Sequence, residues 1–252
     1  MIALFTQSEP DTCSFRRLRI DDMDKVKTTI KQFVRDWSLE GEAERESCYG
    51  PVIQALQNRL PLSENSSYNV LVPGAGLARL VFEIARLGYN CQGCEFSAYM
   101  LFASNYILNC KVTSHSLKLH PWVHSWSNNF TVADQVKEIT LPDVSVSGNI
   151  PDGINFSMAA GDFLDVYDDE NFWDCIPTVF FIDTAHNVLD YIEKIYAILK
   201  PGGYWINMGN FIFVAFSYVY LVITKVRYCI ILPTLAVLIL SSCHLSMFDL
   251  PF

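Results

Sequence analysis

The chain has 252 residues, a formal net charge of −9, and hydrophobic side chains at 51% of its positions. That length holds one sizeable α/β domain with a real core, and the acidic balance excludes nucleic acid as the main partner while leaving a cationic cofactor or substrate welcome. The eight cysteines are scattered, and the opening MIALFTQSEPDTCSFRR has too short an apolar run for a signal peptide, so the thiols are read as reduced and the protein as intracellular.

Residues 1 to 20 carry no pattern. From Asp21, DDMDKVKTTIKQFVRDWS begins with acids suited to a helix N-terminus and sets Met23, Val26, Ile30 and Val34 along one side. Gln32 and Arg35 lie three apart and share a face, with Trp37 close behind. That face is either a solvated polar one or the underside of a helix lying across a cofactor mouth. A second helix is expected from about Glu42 through Arg45 to Leu60, then the loop PLSENSS, so that 21–67 forms a helical segment ahead of the sheet domain at 68–209.

The sheet domain opens with YNVLVPGAGLARLVFEIARLGYNCQGCEFS. A short strand, Asn69 to Val72, leads through Pro73, Gly74, Ala75 and Gly76 into a helix with Leu77, Leu80, Val81 and Ile84 on one face. Gly88 stands where a left-handed C-cap would close that helix, and the next strand ends in the acid Glu95. Glycines at 74 and 76 let the backbone turn sharply and approach a ligand, and Glu95 can accept both hydroxyls of a ribose. From GxG alone an ordinary tight βα turn would read the same. Dinucleotide sites prefer a third glycine where this chain has Arg79, which disfavours a nicotinamide or flavin cofactor. Cys91 and Cys94 form a CxxC, but no second pair completes a zinc site and the pair lies in a strand, not at a helix start. They are read as core thiols, and no metal is expected.

After Glu95, FSAYMLFASNYILN reads as a helix with Ser97 as N-cap, apolar nearly all round and so buried between layers. Residues 111–153 form a long insertion. Within it His120, Trp122, His124 and Trp126 alternate, which is read as a half-buried strand in preference to a metal or nucleotide site. If functional, the insertion is expected to wall the substrate pocket. A strand from Ile154 to Ala159 then ends at Gly161, Asp162 and Phe163, an acid and a ring placed to hold an adenine by its amino group and face. Another apolar strand, Trp173 to Asp183, is followed by a helix with Val188, Leu189, Ile192, Ile195, Tyr196 and Leu199 on one face, then Lys200, Pro201, Gly202, Gly203 and the strand YWINMG. Asp183 is either a cap for that helix or a carboxylate at the sheet's ligand edge. The order β-α-β-α-β-α-β-α-β is that of a doubly wound α/β sheet.

PGAG after the first strand, Glu95 after the second, GDF after the third and LKPGG before the fifth together resemble the class I S-adenosylmethionine-dependent methyltransferases, whose sheet is Rossmann-like. The blocks QFVRDWS, VLVPGAGLARL, GCEFSAYMLFASNYIL, LHPWVHSWSNN, AGDFLDVY, FFIDTAHN and YIEKIYAILKPGGYWIN resemble the carnosine N-methyltransferase family over about residues 15 to 209. The resemblance implies S-adenosyl-L-methionine as cofactor and transfer of its methyl group to the imidazole of carnosine, giving anserine. It implies cofactor contacts at Gln32, Arg35, Gly74, Gly76, Glu95, Asp162 and Phe163, with Asp183 as the catalytic carboxylate facing the imidazole. It also implies a cytoplasmic protein that extends to the nucleus, with room for a homodimer.

After Gly209 the likeness ends, and 210–252 is an apolar tail with almost no charge. Lys225, Arg227 and Pro233 interrupt it, so a membrane span of about 20 apolar residues is not formed and membrane contact is the lesser reading. The expectation is a truncated or alternatively spliced form with an incomplete C-terminal part, its fifth strand left as an edge and its activity impaired. A cofactor-binding remnant without turnover is the alternative.

Overall fold

The structure is a computed structural model and describes residues 20–64, 66–209 and 219–224. Acids in the first turn and Arg35 in the last complement the dipole of helix α1 (Ile20–Trp37). It is followed by α2 (Glu42–Arg59), β1 (Asn69–Pro73), α3 (Arg79–Arg86), β2 (Asn90–Glu95) and α4 (Ala98–Asn109). The insertion holds β3 (Leu117–Leu119), α5 (Val132–Gln135) and β4 (Ile139–Leu141), before β5 (Phe156–Ala160), α6 (Phe163–Val166) and β6 (Trp173–Val179). A 3-10 turn at Ile182–Thr184, α7 (Val188–Ile198), β7 (Leu199–Gly209) and β8 (Val219–Thr224) complete the described elements.

The main sheet runs β5-β2-β1-β6-β7-β8. Its first five strands are parallel and β8 is antiparallel. Strand order reverses between β1 and β6, which opens a crevice at the carboxyl edge there. Helices α2 and α3 cover one face through Val52, Leu56, Val81 and Ile84. Helices α6 and α7 cover the other through Phe163, Ile195 and Ile198, so the sheet is doubly wound as expected. A third cluster joins Val34 and Trp37 of α1 to Phe82, Ile107, Ile139 and Leu141, seating the insertion against the first helix.

Several local expectations are corrected by this packing. Met23 and Val26 are exposed, and α1 buries Thr29, Val34, Asp36 and Trp37 instead, because only its C-terminal half lies on the domain. Helix α4 is not sandwiched between layers: Phe102 and Tyr106 are exposed, and only Ser104 and Ile107 are buried. In α7 the buried residues are Ile195 and Ile198, with Tyr191 and Ile192 packed beside them, while Leu189 and Tyr196 face out. The alternating His120 to Trp126 stretch is turn, not strand, and Trp126 is 93% exposed. Strand β6 stops at Val179, where Phe180 takes a left-handed φ of 49° and swings the chain out of the sheet. Finally, β7 is not an edge. The tail segment Val219–Thr224 pairs with it from Gly209 to Tyr204 and takes up a ladder that would otherwise be open. Among the described residues no helix is long and apolar enough to cross a membrane. The membrane reading of the tail otherwise falls on 210–218 and 225–252, outside the described residues.

Gly93 shows how closely the turn after β1 approaches β2. A Cβ there would strike Met158 Sδ and lie 2.8 Å from both Ala75 Cβ and Val81 Cγ2. Gly93→Ala is therefore expected to cost about 1–3 kcal/mol in urea unfolding, and a loss below about 0.5 kcal/mol would contradict this packing. The thiols give a second expectation. Burial pushes Cys94 up to about 11, and burial, with Cys175 nearby, holds Cys91 well above its ordinary 9.0. An acid whose folded value is raised contributes stability that is complete below its unfolded value and lost as pH rises toward the folded one. Denaturation midpoints should therefore fall as pH rises above about 9, and less so when Cys91 and Cys94 are both replaced by Ala; identical slopes would remove the thiols as the cause.

Candidate functional site

The crevice is lined by the turns that leave the carboxyl ends of the parallel strands. Gly74 and Gly76 take left-handed φ values of 65° and 53°, a conformation in which a side chain is strained. A Cβ at Gly74 would lie 2.5 Å from the ring of Phe181, and one at Gly76 would fill the space before Gln32 Nε2 and Asp36 Oδ2, at 3.7 and 3.9 Å. The turn is thus a cradle kept open by glycine. Its mouth is tied to the end of β2: the Gly76 N–H donates to Glu95 Oε2 at 2.8 Å, and the Ser97 N–H donates to Oε1 at 2.8 Å. The carboxylate is half-buried and fixed by two backbone donors, with lone pairs left for a diol.

Helix α1 supplies the wall opposite the turn. Gln32 Nε2 donates to Asp36 Oδ2 at 2.9 Å, and Arg35 Nε and the Tyr49 hydroxyl donate to Oδ1 at 3.2 and 3.0 Å. Asp36 is 1% exposed. Burial works against the Arg35 charge, but the facing Tyr49 and Asp36 more than offset it, and its pKa is raised. Burial, reinforced by Asp36, likewise pushes the Tyr49 phenol up, so it stays a donor. The Gln32 and Arg35 face is therefore half-buried, with Gln32 beside the glycine turn, and is not an open solvated one.

On the other side of β2, the Gly161 N–H donates to the carbonyl of Glu95 at 3.0 Å, which brings Asp162 beside it. Asp162 caps α6 by accepting from the Leu164 N–H at 2.9 Å. Phe163 corrects an expectation. Its ring is 3% exposed and packs edge-on to Phe181 and Tyr191, so it offers no face to a base. Asp183 sits in the 3-10 turn two residues beyond Phe181, exposed at the same edge. It does not cap α7, since Asn187 does so by accepting from the Leu189 N–H at 3.1 Å. Gly74, Gly76, Glu95, Gln32, Arg35, Asp162 and Asp183 thus gather at one edge, and Phe163 stands behind it in the core. Among the described residues no group of three or more His, Cys, Asp or Glu could hold a metal.

The residues that fix this edge were not visible as such in the sequence. Asp36 lies one helical turn after Gln32, which was a usable signal. Arg79 stood out only as the missing third glycine; it pairs with Asp143 at 2.6 Å and with Glu83 at 2.8 Å. Asp143, in the insertion, carried no local signal. Replacing Asp36 by Asn removes a buried anion that accepts from three side chains, and is expected to cost about 1.5–3 kcal/mol in urea unfolding. A loss below about 0.5 kcal/mol would show that the carboxylate is not the anchor.

The profile of the carnosine N-methyltransferase family matches residues 14–219. Carnosine N-methyltransferase of Mus musculus is 55% identical over 194 residues, 76% of this chain and 48% of that protein. The Schizosaccharomyces pombe carnosine N-methyltransferase is 44% identical over 211 residues, 82% of this chain and 57% of that one. The chain thus spans about half the length of these curated relatives. Among solved structures, a Haemonchus contortus phosphoethanolamine N-methyltransferase in complex with S-adenosyl-L-methionine overlays at a TM-score of 0.43 and 16% identity, covering 75% of this chain and 34% of the other. The fold assignment stands on the strand order alone.

Proposed function

This chain belongs to the carnosine N-methyltransferase family, and from that premise we propose that it carries the cofactor half of an S-adenosylmethionine-dependent methyltransferase acting on the imidazole of carnosine, with anserine as product. The observation that carries this reading is the Glu95 carboxylate, fixed by the Gly76 and Ser97 amides beside a glycine cradle that a Cβ would fill. A ribose diol suits Glu95, an amino group on the base suits Asp162, and the amide of Gln32 and the guanidinium of Arg35 suit the amino-acid end. S-adenosylmethionine supplies, when bound, a methyl group already activated by its sulfonium.

Asp183, exposed in the 3-10 turn after β6, is the carboxylate assigned to the nucleophile in this reading. Imidazole has a pKa of roughly 6.5, so a large neutral fraction is present near pH 7 and removing a proton is a small barrier. The Asp183 carboxylate accepts the ring N–H, fixes the tautomer so that the other nitrogen presents its lone pair, and stabilises the cation as it forms. The protein's remaining task is alignment, which by itself is worth several orders of magnitude in rate. A cytoplasmic and nuclear location and a homodimer belong to the same proposal, and cell fractionation and light scattering test them.

The decisive variant is Asp183→Asn, assayed by methyl transfer to carnosine and by calorimetry with S-adenosylhomocysteine. Turnover should fall by about a hundredfold or more, with cofactor affinity changed by less than about twofold. Equal losses in both would defeat the assignment, and binding by the unaltered chain without turnover would favour a cofactor-binding remnant.

A further inference from the structure

Helix α1 ends in a place where its last carbonyls are gathered by three other segments. One nitrogen of Arg45, from α2, donates to the carbonyls of Arg35 and Ser38, each at 2.7 Å. Arg79, at the start of α3, donates to the carbonyl of Asp36 at 2.8 Å. The backbone N–H of Asp143, in the insertion, donates to the carbonyl of Trp37 at 2.9 Å. A helix end leaves such acceptors unpaired and carries a partial negative charge, so two guanidiniums are matched to it on both counts. Two buried cations then need an anion. The Asp143 carboxylate meets Arg45 at 2.7 Å and Arg79 at 2.6 Å, with all three side chains 9% exposed or less.

The consequence reaches the mouth. Arg79 begins α3 three residues after Gly76, so its fork ties the glycine turn directly to Asp36, the residue from which Gln32 and Arg35 hang. Resting on the cofactor site proposed above, we infer that Asp143 and Arg79 are positioning residues for the methionyl end of the cofactor. The methionyl carboxylate is that ligand's only anion, so it is the end that Arg35 addresses, while Glu95 and Asp162 lie at the adenosyl end. The insertion thereby serves the cofactor by holding α1 at a set height over Gly76.

The test measures two ligands by calorimetry on the full chain: S-adenosylmethionine, and 5′-methylthioadenosine, which lacks the amino-acid end. Asp143→Asn leaves the buried Arg45 without its carboxylate and Arg79 with Glu83 alone, so Arg79→Lys is measured beside it; this variant keeps the charge and loses the fork. Thermal melting establishes that each variant is folded at the assay temperature. Both should bind S-adenosylmethionine about tenfold more weakly or worse, with 5′-methylthioadenosine changed by less than about twofold. Equal weakening of the two ligands would mean general support of the fold and would overturn the inference, as would unchanged affinity for both. Failure of the unaltered chain to bind either ligand would instead remove the cofactor site, and this inference with it.

Discussion

One buried anion between two guanidiniums governs how the N-terminal helices meet the sheet. Without Asp143, the end of α1 would meet the buried Arg45 with no carboxylate beside it and Arg79 with Glu83 alone. Breaking a buried pair of this kind typically costs about 3–5 kcal/mol. The attraction has a direction as well as a size. Because Arg79 begins α3 and Arg45 belongs to α2, satisfying the end of α1 also ties three helices together. The unequal surroundings show in the two cations. Burial and the neighbouring Arg79 lower the pKa of Arg45; Arg79 is also buried, but Asp143 and Glu83 outweigh that and raise it.

The sheet supplies the other half of the arrangement. Parallel strands all end at one edge, so four separate loops arrive where the order reverses, and no loop needs to be long to reach the crevice. Glu95 is the meeting point, because its side chain binds the turn after β1 while its carbonyl accepts from the turn after β5. Phe181 closes the arrangement on the β6 side. The left-handed Phe180 turns the chain so that the Phe181 ring rests on Gly74 and Asp183 emerges beyond it. A non-glycine residue in that conformation carries strain, and strain of this sort concentrates beside functional groups.

How much of this was legible in the sequence depended on the range of the interactions involved. Gly74, Gly76, Gly88 and Glu95 are governed by backbone geometry within one βαβ unit, and each is where its spacing placed it. Buried strands could be read from apolar runs for the same reason. The failures are tertiary. Apolar residues at Met23, Val26, Phe102 and Tyr106 have helical spacing, but no neighbouring element covers them in the described structure. Phe163 followed a strand as a ligand-facing ring would, yet the aromatic pocket made by Phe181 and Tyr191 drew it inward. Asp143 is separated from Arg79 by 64 residues and from Arg45 by 98, so no local pattern could announce it. Strand β8 lies in a stretch unlike the family blocks, and its pairing was set by an open ladder in place of a recognisable motif.

The glycine turn, the end of β2 and the C-terminal half of α1 meet at one edge, and the proposed cofactor would touch all three. Amide hydrogen exchange with and without S-adenosylmethionine measures that directly, because it reads each segment separately in one experiment. The account predicts slowed exchange together at residues 74–76, 95–97 and 32–36, with no comparable change along the exposed face of α4. Protection confined to one of the three segments, or appearing elsewhere on the molecule, would contradict it.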